Sequence, residues 1–136
     1  RRAGWARAGS NASGVPVIDG GAHSPTNLDV VADLGFDLVV VSSPMTGTPD
    51  ALEPARAHPA RRYHRALLHR ERRVVEDSGT PVLFFEPDPE ILHLLGDAPL
   101  DPSRNEEIID ATRSRVRDLL DSSFAPARRA TEILAD

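Results

Sequence analysis

The stretch GVPVIDGGAHSPTNLDVVADLGFDLVVVSSP, residues 14–44, decides which fold is expected. It begins with a short run of β-branched residues, Val15–Ile18, and ends with a longer one, Asp37–Ser43. Between them, Thr26–Leu34 carries apolar residues at helical spacing after a Pro-Thr-Asn cap region, and Gly35 follows. The second run is continuously apolar at its centre, which is typical of a strand buried on both faces. The stretch therefore predicts a strand, a helix and a second strand.

The remaining sequence continues this alternation of strands and helices. Apolar strands joined by helices form parallel sheets that are covered on both faces. We therefore expect an α/β protein with a three-layer α/β/α arrangement and a mainly parallel core sheet. Three strands are few for such a sheet, so the chain is either a compact domain or half of a larger sheet. After the Pro44–Pro59 loop, the elements expected are a helix Ala60–Glu76, a strand Pro81–Phe85, a helix Glu90–Leu95, a helix with an apolar stripe from Ile108 to Leu120, and helical turns over 127–135.

Composition and charge exclude several classes of protein. The 136 residues are 40% hydrophobic and 27% charged, as in soluble globular proteins, and the net charge of −5 argues against nucleic acid as a partner. The absence of cysteine excludes disulfides, thiolate catalysis and cysteine-ligated metals. No apolar run approaches the roughly 18–20 residues of a membrane span, so we expect a cytoplasmic protein or one peripheral to a membrane. Because the chain starts at Arg1 rather than methionine, 1–14 are expected to be a loop or truncated edge, and the domain is assigned to 15–136.

Asp19 is the first candidate functional residue. It follows the Val15–Ile18 run and precedes Gly20 and Gly21. In open α/β sheets, functional residues collect at the carboxyl ends of strands, and two glycines permit a tight turn with positive φ. Asp19 is therefore a candidate catalytic base or metal ligand. The alternative is an aspartate that caps the turn or helix after it.

Two segments carry a resemblance to a known family. VPVIDGGAHSPTNLDVVADLGFDLVVVSSPM (15–45) and SGTPVLFFEPDPEILHLLGDAPLDPSRNEEIIDAT (78–112) resemble the carboxy-terminal part of bacterial patatin-like phospholipases. In that family an Asp-Gly-Gly after a strand supplies the base of a Ser-Asp dyad. The resemblance implies hydrolysis of carboxylic esters in phospholipids or other lipids, with Asp19 as the dyad base. It further implies that Gly20 and Gly21 shape the turn, and it implies no metal and no cofactor.

The family's nucleophile is missing from the 136 residues. It belongs to a Gly-x-Ser-x-Gly elbow that lies, with a glycine-rich oxyanion loop, amino-terminal to the aspartate. Ser10 and Ser13 have the wrong spacing for the elbow, and Asn27 departs in order from the family's Asn-x-Pro. Without a nucleophile and an oxyanion hole, Asp19 has nothing to activate, so we expect this chain alone to be inactive. Its expected partners are the missing amino-terminal half of the domain and a lipid or ester substrate.

The other polar patterns favour ordinary surface roles. The run RRYHRALLHRERR, residues 61–73, is either a solvated helix face or a basic face attracted to anionic headgroups, which would allow peripheral membrane contact. His64 and His69 diverge around that helix, so they and His58 are expected to be surface residues and not metal ligands. His23 is an exposed loop residue that could orient a substrate. Asp88 and Asp101, each beside a proline, are expected to cap turns.

A second class of function also fits the sequence. A non-catalytic α/β module, or a degenerate fragment, would use Asp19 structurally and bind a partner or a lipid surface. A Gly-x-Ser-x-Gly upstream of Arg1 in the native gene product would distinguish the hydrolase from this module.

Overall fold

The protein has a mixed α/β fold with two small sheets, one of them parallel. The computed structural model describes residues 9–53, 59–96, 101–122 and 125–135. None of the described helices is both long and apolar enough to cross a membrane. The strands are β1 (Gly9–Ser10), β2 (Pro16–Val17), β3 (Val39–Ser42) and β4 (Val82–Phe85); the α-helices are α1 (Pro59–Asp77), α2 (Pro89–Leu95), α3 (Asn105–Leu120) and α4 (Ala125–Ala135); and 3-10 helices cover Gly20–Ala22, Leu28–Val31 and Pro102–Arg104.

The parallel sheet consists of β3 and β4, as their apolar sequences predict. The register runs from Val39 opposite Val82 to Ser42 opposite Phe85. Side chains alternate between the two faces of a strand, so Val82 and its neighbour Leu83 point in opposite directions. Both are almost completely buried. The strand β4 is therefore covered on both faces, whereas β3 buries Val41 and leaves Val40, on its other face, 57% exposed.

Different helices cover the two faces. On one face, Val41 and Val82 form a core with Leu68 and Val75 of α1. On the other face, Leu83 packs with two small residues of α4, Ala127 and Ala130, and with partly buried Leu119 and Leu120 of α3. The expected helices at 60–76, 90–95, 108–120 and 127–135 are confirmed within one to three residues at their starts, and 54–58 lie outside the described residues.

The prediction of a parallel strand over Val15–Ile18 was wrong. Only Pro16–Val17 is a strand, and it pairs antiparallel with β1, in a region expected to be a loop. The reason is a local turn. The side chain of Asn11 accepts the N–H groups of Ser13 and Val15 at 3.0 Å each, and Gly14 has a φ of 75°. The chain folds back here, so Val15–Ile18 stays exposed and Asp19 does not follow a strand of the parallel sheet.

The helix expected over Thr26–Leu34 is reduced to the single 3-10 turn Leu28–Val31. Asn27, immediately before it, has a left-handed backbone with a φ of 50°. The turn is anchored to α1, because Glu71 Oε2 accepts the N–H of Leu28 at 2.9 Å. Leu28 and Ala32 are buried in the same core as α1. The segment therefore packs where a crossover helix would, with fewer helical residues than expected.

Candidate functional site

Asp19, Gly20 and Gly21 form one exposed turn. Asp19 is the N-cap of the 3-10 helix Gly20–Ala22, and its Oδ1 accepts the N–H of Gly21 at 2.8 Å. Neither glycine has the positive φ that the sequence suggested. Their small size matters instead. A Cβ at Gly21 would lie 3.2 Å from Asp19 Oδ1, and one at Gly20 would lie 3.4 Å from Asn27 Nδ2. The Asp-Gly-Gly order thus leaves room for the carboxylate and for the segment beside it.

Asn27 holds this turn in place, although we expected no role for it from the sequence. Its Nδ2 donates to the carbonyl oxygens of Gly20 at 3.3 Å and Ser24 at 2.6 Å. The Oγ of Ser24, a buried residue, accepts the N–H groups of Thr26 and Asn27. A serine hydroxyl often bonds backbone groups a few residues further along in turns, and asparagine tolerates left-handed backbone. Those signals could have identified both residues.

The geometry of Asp19 agrees with two roles. Capping the 3-10 turn occupies Oδ1, as the structural alternative expects. Among the described residues, no hydrogen bond to the other carboxylate oxygen is present, so a hydroxyl or a cation could approach it. The nearby His23 is exposed, and its backbone N–H donates to Gly20 O. The turn can therefore present a carboxylate oxygen to a second group without losing its own cap.

A second polar cluster lies at the carboxyl ends of β3 and β4. Its members come from α1 and from the residue that directly follows β4. Glu86 is buried directly after β4. Arg65 Nε lies 3.2 Å from Glu86 Oε1, and His69 Nε2 lies 3.6 Å from Glu86 Oε2. The His69 ring stands edge-on to Phe84 at 5.2 Å, and the Arg72 guanidinium lies 4.8 Å above the same ring. We name Arg65, His69 and Glu86 the charged cluster.

The charged cluster corrects the interpretation of residues 61–73 as a solvated face. Residues at spacing i, i+4, i+8 share one side of a helix, and 61, 65 and 69 have this spacing. Arg61 is only 8% exposed, and its Nη1 donates to the carbonyl oxygens of Pro44 at 2.6 Å and Thr46 at 2.9 Å. Burial lowers the pKa of Arg61 from its ordinary value. On this side of α1, Arg61 therefore holds the loop after β3 through hydrogen bonds, and Arg65 balances the charge of Glu86.

The surroundings of His69 disfavour its charged form. Burial disfavours the imidazolium, and the neighbouring Arg65 repels it, so the pKa of His69 is lowered, with Glu86 opposing the shift. His69 is partly buried, which is contrary to the surface position expected for it. His58 lies outside the described residues. No group of three or more potential metal-ligating side chains is present within the described ranges.

An apolar cavity of about 100 Å³ adjoins this end of the sheet, between α2 and α3. Its lining includes Phe85, Glu86 and Arg115. Arg115 Nε lies 3.7 Å from Asp88 Oδ2, while Asp88 Oδ1 caps α2 through the N–H of Ile91. Asp88 therefore caps as expected, and so does Asp101, which accepts the N–H of Ser103.

No family model, curated protein or solved structure matches the chain.

Proposed function

We propose that this chain supplies the base of a Ser-Asp dyad in a patatin-like lipid acyl hydrolase. The base is Asp19, and the serine and oxyanion donors lie on polypeptide outside these 136 residues. The substrates are carboxylic esters of lipids, phospholipids included. The observation that carries the proposal is the exposed Asp19 carboxylate, whose Oδ1 accepts the Gly21 N–H while its other oxygen accepts no hydrogen bond from the described residues.

The proposed mechanism uses the two oxygens of Asp19 differently. A serine hydroxyl is a weak nucleophile until a base accepts its proton. The fixed Oδ1 orients the carboxylate, and the other oxygen accepts the serine proton during attack on the ester carbonyl. A positioned base of this kind contributes about 10²–10⁴ in rate. Gly21 supports the arrangement because a side chain there would approach Oδ1 to 3.2 Å.

The proposed fold of the complete domain is a three-layer α/β/α arrangement. The packing of α1 on one face of the β3–β4 pair and of α4 on the other supports it. Further strands would come from the missing amino-terminal half of the domain. The chemistry of the dyad requires no metal and no organic cofactor.

Fluorophosphonate labelling of the native gene product in its source cells, with mass readout of the labelled species, tests the proposal. We expect a labelled species heavier than 14.7 kDa that contains these peptides. Asp19→Asn should abolish turnover while keeping the turn, because asparagine also caps. Asp33→Asn, at another exposed aspartate, is the matched control. An unlabelled product near 14.7 kDa, or full activity of Asp19→Asn, would refute the proposal.

A non-catalytic module that binds a lipid surface is the second candidate. It is favoured by the exposed side of α1, where Arg70 and Arg73 accompany Tyr63 and Val74, which are 65% and 47% exposed. Basic residues near an anionic surface contribute about 1 kcal/mol each, so two give weak binding. Sedimentation with anionic vesicles tests this candidate. Binding that survives Arg70→Gln with Arg73→Gln would exclude the basic face as its cause.

A further inference from the structure

The apolar cavity between α2 and α3 has walls from three parts of the fold. Pro44 follows β3 and Phe85 ends β4, while Ile91 belongs to α2 and Val116 to α3. Ile91 is only 6% exposed. In open α/β sheets, ligands bind at the carboxyl ends of the strands, which is where this cavity lies. Its position therefore makes it a candidate binding site.

Polar contacts hold the walls of the cavity in place. Asp88 Oδ1 accepts the N–H of Ile91 at 2.9 Å, and Asp88 Oδ2 lies 3.7 Å from Arg115 Nε, so one carboxylate joins α2 to α3. On the opposite side, Arg61 Nη1 donates to the carbonyl oxygen of Pro44 at 2.6 Å. Walls that are already held in place need little ordering when a ligand binds, and preorganisation of this kind favours affinity.

The size and lining of the cavity determine what can fill it. An engineered apolar cavity of about 150 Å³ stays dry and binds benzene, which has six carbon atoms. The present cavity measures about 100 Å³, so in proportion it holds about four carbon atoms. Its lining is mainly apolar, whereas a buried water needs two to four polar partners. An aliphatic group therefore fits the cavity better than water does.

The charged residues at the cavity favour a neutral ligand. The carboxylate of Glu86 lies 3.2 Å from Arg65, and Arg115 lies beside Asp88, so each charge already has an opposite charge nearby. A charged ligand would lack a counter-ion. Arg115 nevertheless donates no hydrogen bond to any described residue, because 3.7 Å is too long for one. Its N–H groups are therefore available to an acceptor oxygen.

We propose that the apolar cavity binds a neutral aliphatic alcohol of about four carbon atoms, whose oxygen accepts a hydrogen bond from Arg115. The alkyl chain lies against Phe85, Ile91 and Val116. Each methylene group moved from water into the cavity strengthens binding about fourfold, until the cavity is full. The inference does not rest on the proposed hydrolase function, because Asp19 is not among the described residues that line the cavity.

Titration of the full chain with butan-1-ol, followed by NMR of labelled isoleucine and valine methyl groups, tests the proposal. We expect saturable shifts at Ile91 and Val116, and none at Val74, which is 47% exposed on α1. From ethanol to propan-1-ol to butan-1-ol, the affinity should rise about fourfold per methylene and then level off in longer alcohols. Butanoate and butylammonium should bind at least about tenfold more weakly than butan-1-ol, since each buries an unpaired charge.

Two pairs of variants on α3 separate the alkyl contact from the hydrogen bond. Val116→Phe fills the cavity and should weaken binding about tenfold or more, whereas Ile109→Phe, at a residue 51% exposed, should leave it unchanged. Arg115→Gln should also weaken binding about tenfold, and Arg113→Gln, at an exposed arginine, should not. Circular dichroism checks that each variant folds; if Val116→Phe does not, the arginine pair and the alcohol series decide.

Several results would overturn the inference. These are the absence of saturable shifts at Ile91 and Val116, unchanged affinity in folded Val116→Phe or in Arg115→Gln, and a charged probe that binds more tightly than butan-1-ol. Loss of fluorophosphonate labelling would refute the hydrolase and leave the alcohol titration unaffected, so the two proposals fail separately.

Discussion

Removing the side chain of Arg61 should destabilise the protein far more than removing its surface neighbours. Arg61 is 8% exposed, and its guanidinium donates to two backbone carbonyls, those of Pro44 and Thr46. A hydrogen bond to a charged group contributes about 1.5–3 kcal/mol, and a buried acceptor left unpaired costs about 1–3 kcal/mol. Because the two bonds share one side chain, they are not fully additive. We expect Arg61→Ala to lower the free energy of unfolding by about 3–5 kcal/mol.

Urea unfolding followed by far-UV circular dichroism measures this loss. Arg70→Ala is the matched control, because Arg70 lies on the same helix and is exposed; its cost should stay within about 0.5 kcal/mol. Arg61→Lys should fall between the two, since an ammonium keeps the charge without the planar fork. If Arg61→Ala proves as mild as Arg70→Ala, water replaces the guanidinium at both carbonyls, and the anchoring role given to Arg61 is wrong.

Three further predictions concern other parts of the protein. The lowered pKa of His69 means that the unfolded chain binds a proton more readily, so stability should fall as pH drops below the ordinary value of 6.5, by at most about 1.4 kcal/mol per pH unit. Thermal unfolding of His69→Gln should show a flatter pH dependence, and an unchanged slope would contradict the assignment. Asp19→Ala should cost about 1 kcal/mol through the lost cap, and Asp19→Asn much less; equal losses in urea unfolding would exclude capping. Leu68→Ala, at a residue 1% exposed in the core, should cost about 2–5 kcal/mol in the same assay, and a cost below that of exposed Tyr63→Ala would place the core elsewhere.

The parts of the fold that the sequence predicted are those in which one strong local signal agrees with burial. Asp37–Ser43 and Pro81–Phe85 are apolar runs that form the parallel pair, although burial on both faces was expected for β3 and Val40 is 57% exposed. The helix α1 follows from its 3.6-residue period, and α2 begins at an Asp-Pro pair that caps it. In these segments propensity, spacing and end signals favour the same structure, and such agreement between local and global preferences is typical of sequences that fold reliably.

The prediction of a parallel strand before Asp19 was wrong, and the sequence of that segment contains the physical reason. Val15–Ile18 is four residues long and includes Pro16, which cannot donate to a ladder. Pairing with β1 closes a short loop, whereas pairing with β3 would close one of more than twenty residues at a higher entropic cost. Asn11 and Gly14 make the short loop still easier to form. A short apolar run therefore predicts a strand but does not predict which strand it pairs with.

Residues of the site that bond only to the neighbouring backbone could be predicted from the sequence. Residues whose direction depends on what is buried around them could not. Asp19 caps the turn that Gly20 and Gly21 form, which is one of the roles that its sequence context predicted. Arginine mostly faces solvent, so no pattern indicated that Arg61 and Arg65 lie inward. Arg65 turns towards Glu86, which lies one residue beyond β4 and is a buried charge that needs a partner, and Arg61 turns towards the carbonyl oxygens of Pro44 and Thr46. The parallel sheet thus ends in a carboxylate that α1 must neutralise, and this requirement sets which face of the basic helix turns towards the core.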